Sequence, residues 1–323
     1  MMKKFRGIQS VGLQGSHSVL TIGNFDGVHL GHREILSRVL AEAKKRQALA
    51  CVYTFRPHPQ EVLRPGTQVK LLTTYDEKLE IFESLGLDVA VEEPFSQEFF
   101  TLSAREFFKK VVLDGFKAQA LFVGHDFAFG KNREGNLALL RTLCEEYGVE
   151  LTVISQQSAV GAAVSSTVIR SHLLKAEVAQ AAKLLGQYFF YRGTVIKGDQ
   201  RGRLLGFPTA NLQIENKLTL PSGVYATWAW VERGGQRERF PSVTNIGTRP
   251  TFYSGKNELP VVVETHLILP TSLSTIDLYG ERLEVQFVEY LRAEKRFNGP
   301  DALMVQIRQD VELAQTFLVS TPK

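Results

Sequence analysis

Val19-Leu20-Thr21-Ile22-Gly23-Asn24-Phe25-Asp26-Gly27-Val28-His29-Leu30-Gly31-His32 is the stretch that decides how this chain is read. Its first five residues form a short apolar run closed by glycine, the pattern of a buried strand. After it, from about Leu30 to Arg46, Ile35, Leu36, Val39, Leu40 and Ala43 recur at helical spacing. Gly27 and Gly31 let the backbone pass close to a ligand. A helix N-terminus offers N–H groups and a positive dipole end, which suits phosphate. His29 and His32 stand three residues apart, so both rings can reach one side of the helix. Two imidazoles there can donate to phosphate oxygens and stabilise the charge that builds up in an in-line attack. Two other readings compete. One is a strand-to-helix turn with incidental histidines. The other is a metal site, which lacks a nearby carboxylate or third histidine.

The same alternation continues on the C-terminal side. Leu49–Phe55 reads as a strand, Tyr75–Leu85 as a helix, Asp88–Val91 as a strand. Ser103 caps a helix through Val112, with Glu106 completing a capping box. Ala118–Val123, Asn136–Tyr147 and Glu150–Ile154 read as strand, helix and strand. Strands alternating with helices predict a parallel sheet covered on both faces, with ligands at the carboxyl ends of its strands. Ser166–Leu185 reads as one further helix. Beyond Gly186 the pattern turns β-rich: Phe189–Ile196, Val224–Val231, Phe240–Ile246, Val261–Leu267 and Leu283–Val288 are spaced as in a small antiparallel barrel. Asn298-Gly299-Pro300 then opens a last helix, with Leu303, Ile307, Val311, Ala314 and Leu318 as its apolar stripe.

Bulk properties agree with two folded domains. At roughly 150 residues per domain, 323 residues suggest about two. With 44% hydrophobic and 22% charged residues, disorder is excluded as the main state. The net charge of +4 divides equally about Gly186, so neither half is the basic arm of a dedicated nucleic-acid binder. Cys51 and Cys144 are too few for a metal cluster or a disulfide framework. One disulfide between them is possible, but their apolar surroundings favour free thiols. The basic start at Lys3-Lys4 lacks an apolar signal core, and no run approaches 18 apolar residues. The expectation is a soluble cytoplasmic protein with no membrane or nucleic-acid partner. Its oligomeric state stays open between monomer and weak oligomer.

A second segment, Val164-Ser165-Ser166-Thr167-Val168-Ile169-Arg170, again runs into a helix. It brings a hydroxyl cap and a guanidinium fork for phosphate. Together with Asn24–His32 it resembles the nucleotidyltransferase module of bacterial FAD synthetases. Thr54-Phe55-Arg56-Pro57-His58-Pro59 and Val123-Gly124-His125-Asp126-Phe127-Ala128-Phe129-Gly130 also match that family. The resemblance implies a Rossmann-like fold and adenylyl transfer from ATP to FMN with release of pyrophosphate. It implies ATP phosphate contacts at Gly23, Asn24, Phe25, Asp26, Gly27, His29 and His32. Ser166, Thr167 and Arg170 would form a distal clamp. Pro57, His58, Pro59 and Asp126 would line the flavin and nucleotide clefts.

The second half carries its own group. Gly198-Asp199-Gln200-Arg201-Gly202-Arg203-Leu204-Leu205-Gly206-Phe207-Pro208-Thr209-Ala210-Asn211 is not a Walker A motif, yet its glycines and arginines could wrap a polyphosphate. Thr209 and Asn211 offer neutral oxygens two residues apart on an extended strand, ligands that suit Mg²⁺. Glu264 sits in the apolar run Val261–Leu267. It is either outward-facing or placed in a site as a base. These residues resemble riboflavin kinase, as do Asn245-Ile246-Gly247-Thr248-Arg249-Pro250-Thr251-Phe252, Asp277–Gly280 and Leu291–Phe297. That resemblance implies a six-stranded β-barrel with a terminal helix and phosphoryl transfer from ATP to riboflavin. Glu264 would be general base, with Mg²⁺ on Thr209 and Asn211. Gly198, Arg201, Gly202, Arg203, Gly206 and Pro208 would surround the ATP phosphates. Arg292 would be a phosphate or flavin contact, or else an ion-pair residue.

The two resemblances follow one another along nearly the whole chain. They imply a bifunctional riboflavin kinase/FAD synthetase, with an adenylyltransferase domain over 1–186 and a kinase domain over 187–323. Its small-molecule partners would be riboflavin, FMN and ATP, and its product FAD. A different nucleotidyltransferase would leave 187–323 unexplained. A non-catalytic flavin-binding protein would have no need of His29, His32, Thr209, Asn211 and Glu264 together. The aromatic run Tyr188-Phe189-Phe190-Tyr191 has no functional explanation in the sequence.

Overall fold

The computed structural model describes residues 1–13, 15–64, 66–155, 164–198, 202, 205–214, 217–248, 261–270 and 276–319. Backbone contacts divide the chain into Met1–Ser166 and Thr167–Lys323.

The first unit is built on a six-stranded parallel sheet. Its strands are β1 (Lys3–Arg6), β2 (Ser18–Ile22), β3 (Leu49–Arg56), β4 (Val89–Pro94), β5 (Ala118–Gly124) and β6 (Glu150–Ile154). They lie in the order β1-β4-β3-β2-β5-β6, every pair parallel. Successive side chains of each strand feed opposite faces. Leu20, Ile22, Cys51, Tyr53, Val89, Val91, Leu121 and Val123 enter one core, Val19, Ala50, Val52, Ala90, Ala120 and Phe122 the other. The second core is closed by α1 (Leu30–Arg46), through Leu36, Val39 and Ala43, and by Phe82 of α3 (Tyr75–Ser84). The short α2 (Pro59–Leu63) precedes α3, and α4 (Gln97–Phe100) follows β4. The first core is closed by α5 (Ala104–Phe107), the π-helical turns Phe108–Gly115 that continue it, and α6 (Leu137–Tyr147). Ser103 caps α5 with the expected box to Glu106. Both cysteines are buried and free.

From β2 the chain steps to β3 on one side and later returns to β5 on the other. This reversal opens a crevice at the carboxyl ends of β2 and β5.

The read helix over 166–185 is two helices, α7 (Ser166–Leu174) and α8 (Val178–Leu185). Ala176 takes a left-handed φ of 61°, and His172 Nδ1 meets Glu177 Oε2 at 2.6 Å across the break. Apolar spacing alone hides such a corner, because the stripe resumes in register after it. By its contacts α8 packs on the barrel of the second unit.

That barrel is closed, with order β10-β11-β8-β7-β12-β9 and every described pairing antiparallel. Its strands are β7 (Phe189–Ile196), β8 (Ala210–Ile214), β9 (Gly223–Arg233), β10 (Gln236–Thr248), β11 (Val261–Leu267) and β12 (Arg282–Arg292). Five were read as apolar runs. β8 escaped as a run because it is only five residues long and directly follows the glycine-rich segment. Phe189, Tyr191, Tyr225 and Phe287 interlock edge-on inside. Tyr191 accepts from Leu220 N–H and donates to the Leu218 carbonyl. The aromatic run is therefore barrel core at Phe189 and Tyr191. Phe190 points outward, with the buried Lys217 ammonium 4.0 Å from its ring centroid. A hydroxyl ladder of Ser242, Thr227, Thr244 and Thr265 satisfies itself at 2.8–3.0 Å. The last helix, α9 (Pro300–Val319), packs Val311, Ala314 and Leu318 on Val224, Ala226, Val243 and Val288. Among the described residues no helix is long and apolar enough to cross a membrane.

Candidate functional sites

The turn from β2 into α1 is unusual in backbone and in contacts. Phe25, Gly27 and Val28 take φ values of 52°, 80° and 39°, and two of these residues carry a Cβ. Such geometry persists only where the surroundings over-determine it. Here the Phe25 ring is buried edge-on against Phe82 and His32. The Asp26 carboxylate accepts from Leu72 N–H at 2.9 Å and Thr73 N–H at 3.2 Å. Gly27 N–H donates to Thr73 Oγ1 at 3.2 Å. Asp26 thus binds protein backbone through its carboxylate, and the Gly27 N–H already has a partner.

His29 is the N-cap of α1, and its Nδ1 accepts from His32 N–H at 3.3 Å. An accepting Nδ1 leaves the proton of the neutral ring on Nε2, so Nε2 is a donor. The two imidazoles are stacked, with centroids 3.6 Å apart and planes 14° from parallel. A Cβ at position 31 would press on the His29 ring at 3.3 Å, which is why glycine suits that position. Burial pushes His29 down to about 4, opposed by its own backbone hydrogen bond and by the charge of Asp126. Burial, the neighbouring His29 and Lys78 hold His32 well below the usual histidine range. Both rings are therefore neutral near pH 7. A polyanion brought against them would favour their protonated forms and make them stronger donors.

The structure places the other residues of this constellation as follows. Ser166 Oγ donates to the Asp26 carbonyl at 3.0 Å, joining the second motif to the first. Asp126, beyond the end of β5, is exposed, and its charge acts on His29. His58 caps α2, its Nδ1 accepting from Gln60 N–H and its own N–H donating to Tyr75 Oη at 2.8 Å. Pro57 is exposed and Pro59 half-buried beside it. Thr167 is exposed and Arg170 half-buried on α7. One participant escaped the sequence reading. Lys78 of α3 is buried, with Nζ 2.9 Å from Thr54 Oγ1 and 3.3 Å from the Asn24 carbonyl. In sequence it is one more polar residue of an amphipathic helix, and no motif marks it.

In the second unit the strand register makes the site. Asn245 of β10 pairs with Glu264 of β11, and Glu264 with Asn211 of β8. The three side chains therefore form a row on one face. Val263 and Thr265 point inward, so the row lies on the outer face of the barrel. Glu264 is outward-facing and half-buried, and it still stands in a group of polar residues. Asn245 Nδ2 donates to Glu294 Oε1 at 3.3 Å. The segment before β8 is packed closely on this face. A Cβ at Gly198 would lie 2.3 Å from the Asn211 amide. At Gly202 it would lie 2.4 Å from the Phe207 carbonyl and 3.3 Å from Thr209 Oγ1. Gly206 has a φ of 83°. His266 Nδ1 donates to the Pro208 carbonyl at 2.9 Å, and its ring meets Phe207 edge-on. Burial lowers the His266 pKa. Arg201, Arg203, and the Arg249–Phe252 part of the Asn245 motif lie outside the described residues.

Arg292 lies further along the same row, since Val224 pairs with both Asn245 and Arg292. Its guanidinium grips Asp310 of α9 with two bonds of 2.8 and 2.7 Å, and Gln306 supports the carboxylate. Of the two roles considered for it, the structure displays the ion pair. Among the described residues, no group of three or more His, Cys, Asp and Glu side chains could hold a metal ion. Thr209 and Asn211 offer instead hard, neutral oxygens beside two glycines, a donor set that fits Mg²⁺ when phosphate oxygens and water complete it.

Comparison with known proteins follows the same division. A model of the FAD synthetase family matches residues 13–168, and one of the riboflavin kinase family matches 185–318. A bifunctional riboflavin kinase/FMN adenylyltransferase of Escherichia coli (strain K12) is 37% identical, over 98% of both chains. Its namesake from Buchnera aphidicola subsp. Schizaphis graminum is 34% identical over 98% of this chain and 99% of its own. The Bacillus subtilis protein of that name is 34% identical over 92% and 91%. A crystal structure described as a macrolide-efflux protein from Streptococcus pneumoniae superposes with a TM-score of 0.86 at 26% identity. It covers 97% of this chain and 99% of its own.

Proposed function

This chain belongs to the family of bifunctional riboflavin kinases/FMN adenylyltransferases, and from that we propose which residues carry each of its two reactions. It phosphorylates riboflavin with ATP to FMN, then adenylylates FMN to FAD with release of pyrophosphate. The observation that carries the division is that the two polar constellations stand on two separately built sheets, one open and parallel, one closed and antiparallel.

We assign adenylyl transfer to residues 1–186. FMN supplies a phosphate oxygen that attacks the α-phosphorus of ATP in line, and pyrophosphate leaves. His29, through Nε2, and His32 donate to the phosphate oxygens on which charge grows. Gly23, Asn24, Phe25, Asp26 and Gly27 shape the turn that aims them, with Asp26 acting as its anchor. Ser166, keyed to the Asp26 carbonyl, begins the distal clamp continued by Thr167 and Arg170. Pro57, His58, Pro59 and Asp126 border the flavin and nucleotide clefts. Because α7 carries Thr167 and Arg170, we count it with this reaction.

We assign riboflavin phosphorylation to residues 187–323. Glu264 accepts the proton of the ribityl 5′-hydroxyl as that oxygen attacks the γ-phosphorus, and ADP leaves. Thr209 and Asn211 would hold Mg²⁺, which when bound neutralises charge on the transferring phosphate. Gly198, Gly202, Gly206 and Pro208 keep the segment close enough to the barrel for both to reach the phosphates. Arg201 and Arg203 add cationic contacts. His266 positions Thr209 by holding the Pro208 carbonyl. We place both reactions in the cytoplasm, where ATP is supplied and cysteines stay reduced.

Chromatographic separation of FMN and FAD tests the division. Glu264→Ala should lower FMN formation by about 10²-fold or more and leave FMN-to-FAD conversion intact. His29→Ala with His32→Ala should do the reverse, by about 10²–10³-fold. Loss of both steps in either folded variant would overturn the two-site assignment.

A further inference from the structure

We propose that Lys78 is a positioning residue for adenylyl transfer: its buried ammonium clamps the Asn24 carbonyl and the Thr54 hydroxyl, and thereby holds the turn that aims His29 and His32. The inference rests on the assignment of that reaction to the N-terminal site.

The turn needs a clamp. Three of its four residues from Phe25 to Val28 have positive φ, two without the freedom of glycine. Downstream, Leu72, Thr73 and Ser166 fix Asp26 and Gly27. Upstream, Asn24 is the entry point, and its side chain is exposed. Its carbonyl receives Lys78 Nζ at 3.3 Å and Thr54 Oγ1 at 3.2 Å, while Nζ and the Thr54 oxygen meet at 2.9 Å. These three groups form a closed triangle beneath the strand end. Lys78 therefore connects α3 and β3 to the first residue of the turn.

An ammonium here has one structural reason, the two buried carboxylates near it. Nζ has neutral oxygens as its hydrogen-bond partners, and its side chain is only 4% exposed. Burial lowers its pKa to about 8, with Glu92 and Asp26 favouring the charge and Arg56 opposing it. Glu92 Oε1 is itself buried without a hydrogen-bond partner among the described residues. Compensation of those carboxylates needs no bond to the Asn24 carbonyl or to Thr54. The cation does, however, place positive charge beneath a turn that receives a polyphosphate, close enough to act on His32. A buried charge beside a candidate site is a mark of functional constraint.

Lys78→Met in the full chain is the decisive variant. It should lose kcat for FMN-to-FAD conversion at least about tenfold, beyond what any fall in melting temperature accounts for, with FMN formation unchanged. Thr54→Val, which removes only one corner of the triangle, should lose kcat about threefold at unchanged melting temperature. The loss should fall on kcat more than on KM, because a displaced turn withdraws interactions made in the transition state. Full adenylylation by Lys78→Met overturns the proposal. So does a fall in activity that merely follows a fall in melting temperature. Where Lys78→Met does not fold, Thr54→Val decides, and full activity there also overturns it. The His29→Ala, His32→Ala variant separates the two levels. If that variant still makes FAD, the assignment of the site fails. If it does not and Lys78→Met does, only the role of Lys78 fails.

Discussion

His29 caps a helix and presents a proton donor with a single ring. Its Nδ1 satisfies His32 N–H, which fixes the tautomer and leaves Nε2–H as the donor. The same burial that neutralises the ring links it to acid stability. In the folded chain His29 titrates at about 4, below its ordinary 6.5. As pH falls from 6.5 the unfolded chain binds the proton first, so stability is lost between about 6.5 and 4 and is flat above. The loss amounts to about 3 kcal/mol from this residue. His29→Asn keeps the cap, since an asparagine oxygen can accept the same N–H. We expect helix α1 and stability at pH 7 to be preserved, the acid slope in urea unfolding to flatten, and FAD formation to fall about 10²-fold. A variant as acid-sensitive as the wild type would count against the buried, neutral ring. At this scale the motif was legible in sequence, but the tautomer was not. It depends on which N–H lies over which nitrogen.

Among the elements, α1 and the strands on either side of it were read almost to the residue, because one face of each is apolar and the caps are local. The pairing of Arg292 with Asp310 was not readable, since the partners sit 18 residues apart on different elements. It pins α9 to β12, and both side chains are largely buried, at 16% and 5% exposure. Asp310→Ala leaves a buried guanidinium without its carboxylate. It should destabilise the second unit by about 3–5 kcal/mol in thermal or urea unfolding. Arg292→Ala should cost a similar amount, and the double variant less than the sum. An Arg292 that served only the flavin would instead raise KM for riboflavin at unchanged stability.

At the scale of the molecule, an open parallel sheet and a closed antiparallel barrel sit on one chain, each with its own core. If each unit completes its own chemistry, FMN released by one molecule should serve another. An equimolar mixture of Glu264→Ala and His29→Ala, His32→Ala proteins should convert riboflavin to FAD, while neither alone does. FMN accumulating in the mixture without FAD would show that the intermediate must stay with the molecule that made it.

The sequence by itself determined that there are two units, their fold classes, the family, and the positions of both polar constellations. These follow from periodicity and from runs of neighbouring residues, which are local properties. Only the tertiary structure decided that Asn211, Glu264 and Asn245 stand in one row, that Lys78 lies under Asn24, and that Asp26 and Arg292 hold protein rather than face outward. Each of these rests on register or on burial between distant segments, and those are fixed only when the whole sheet or barrel closes.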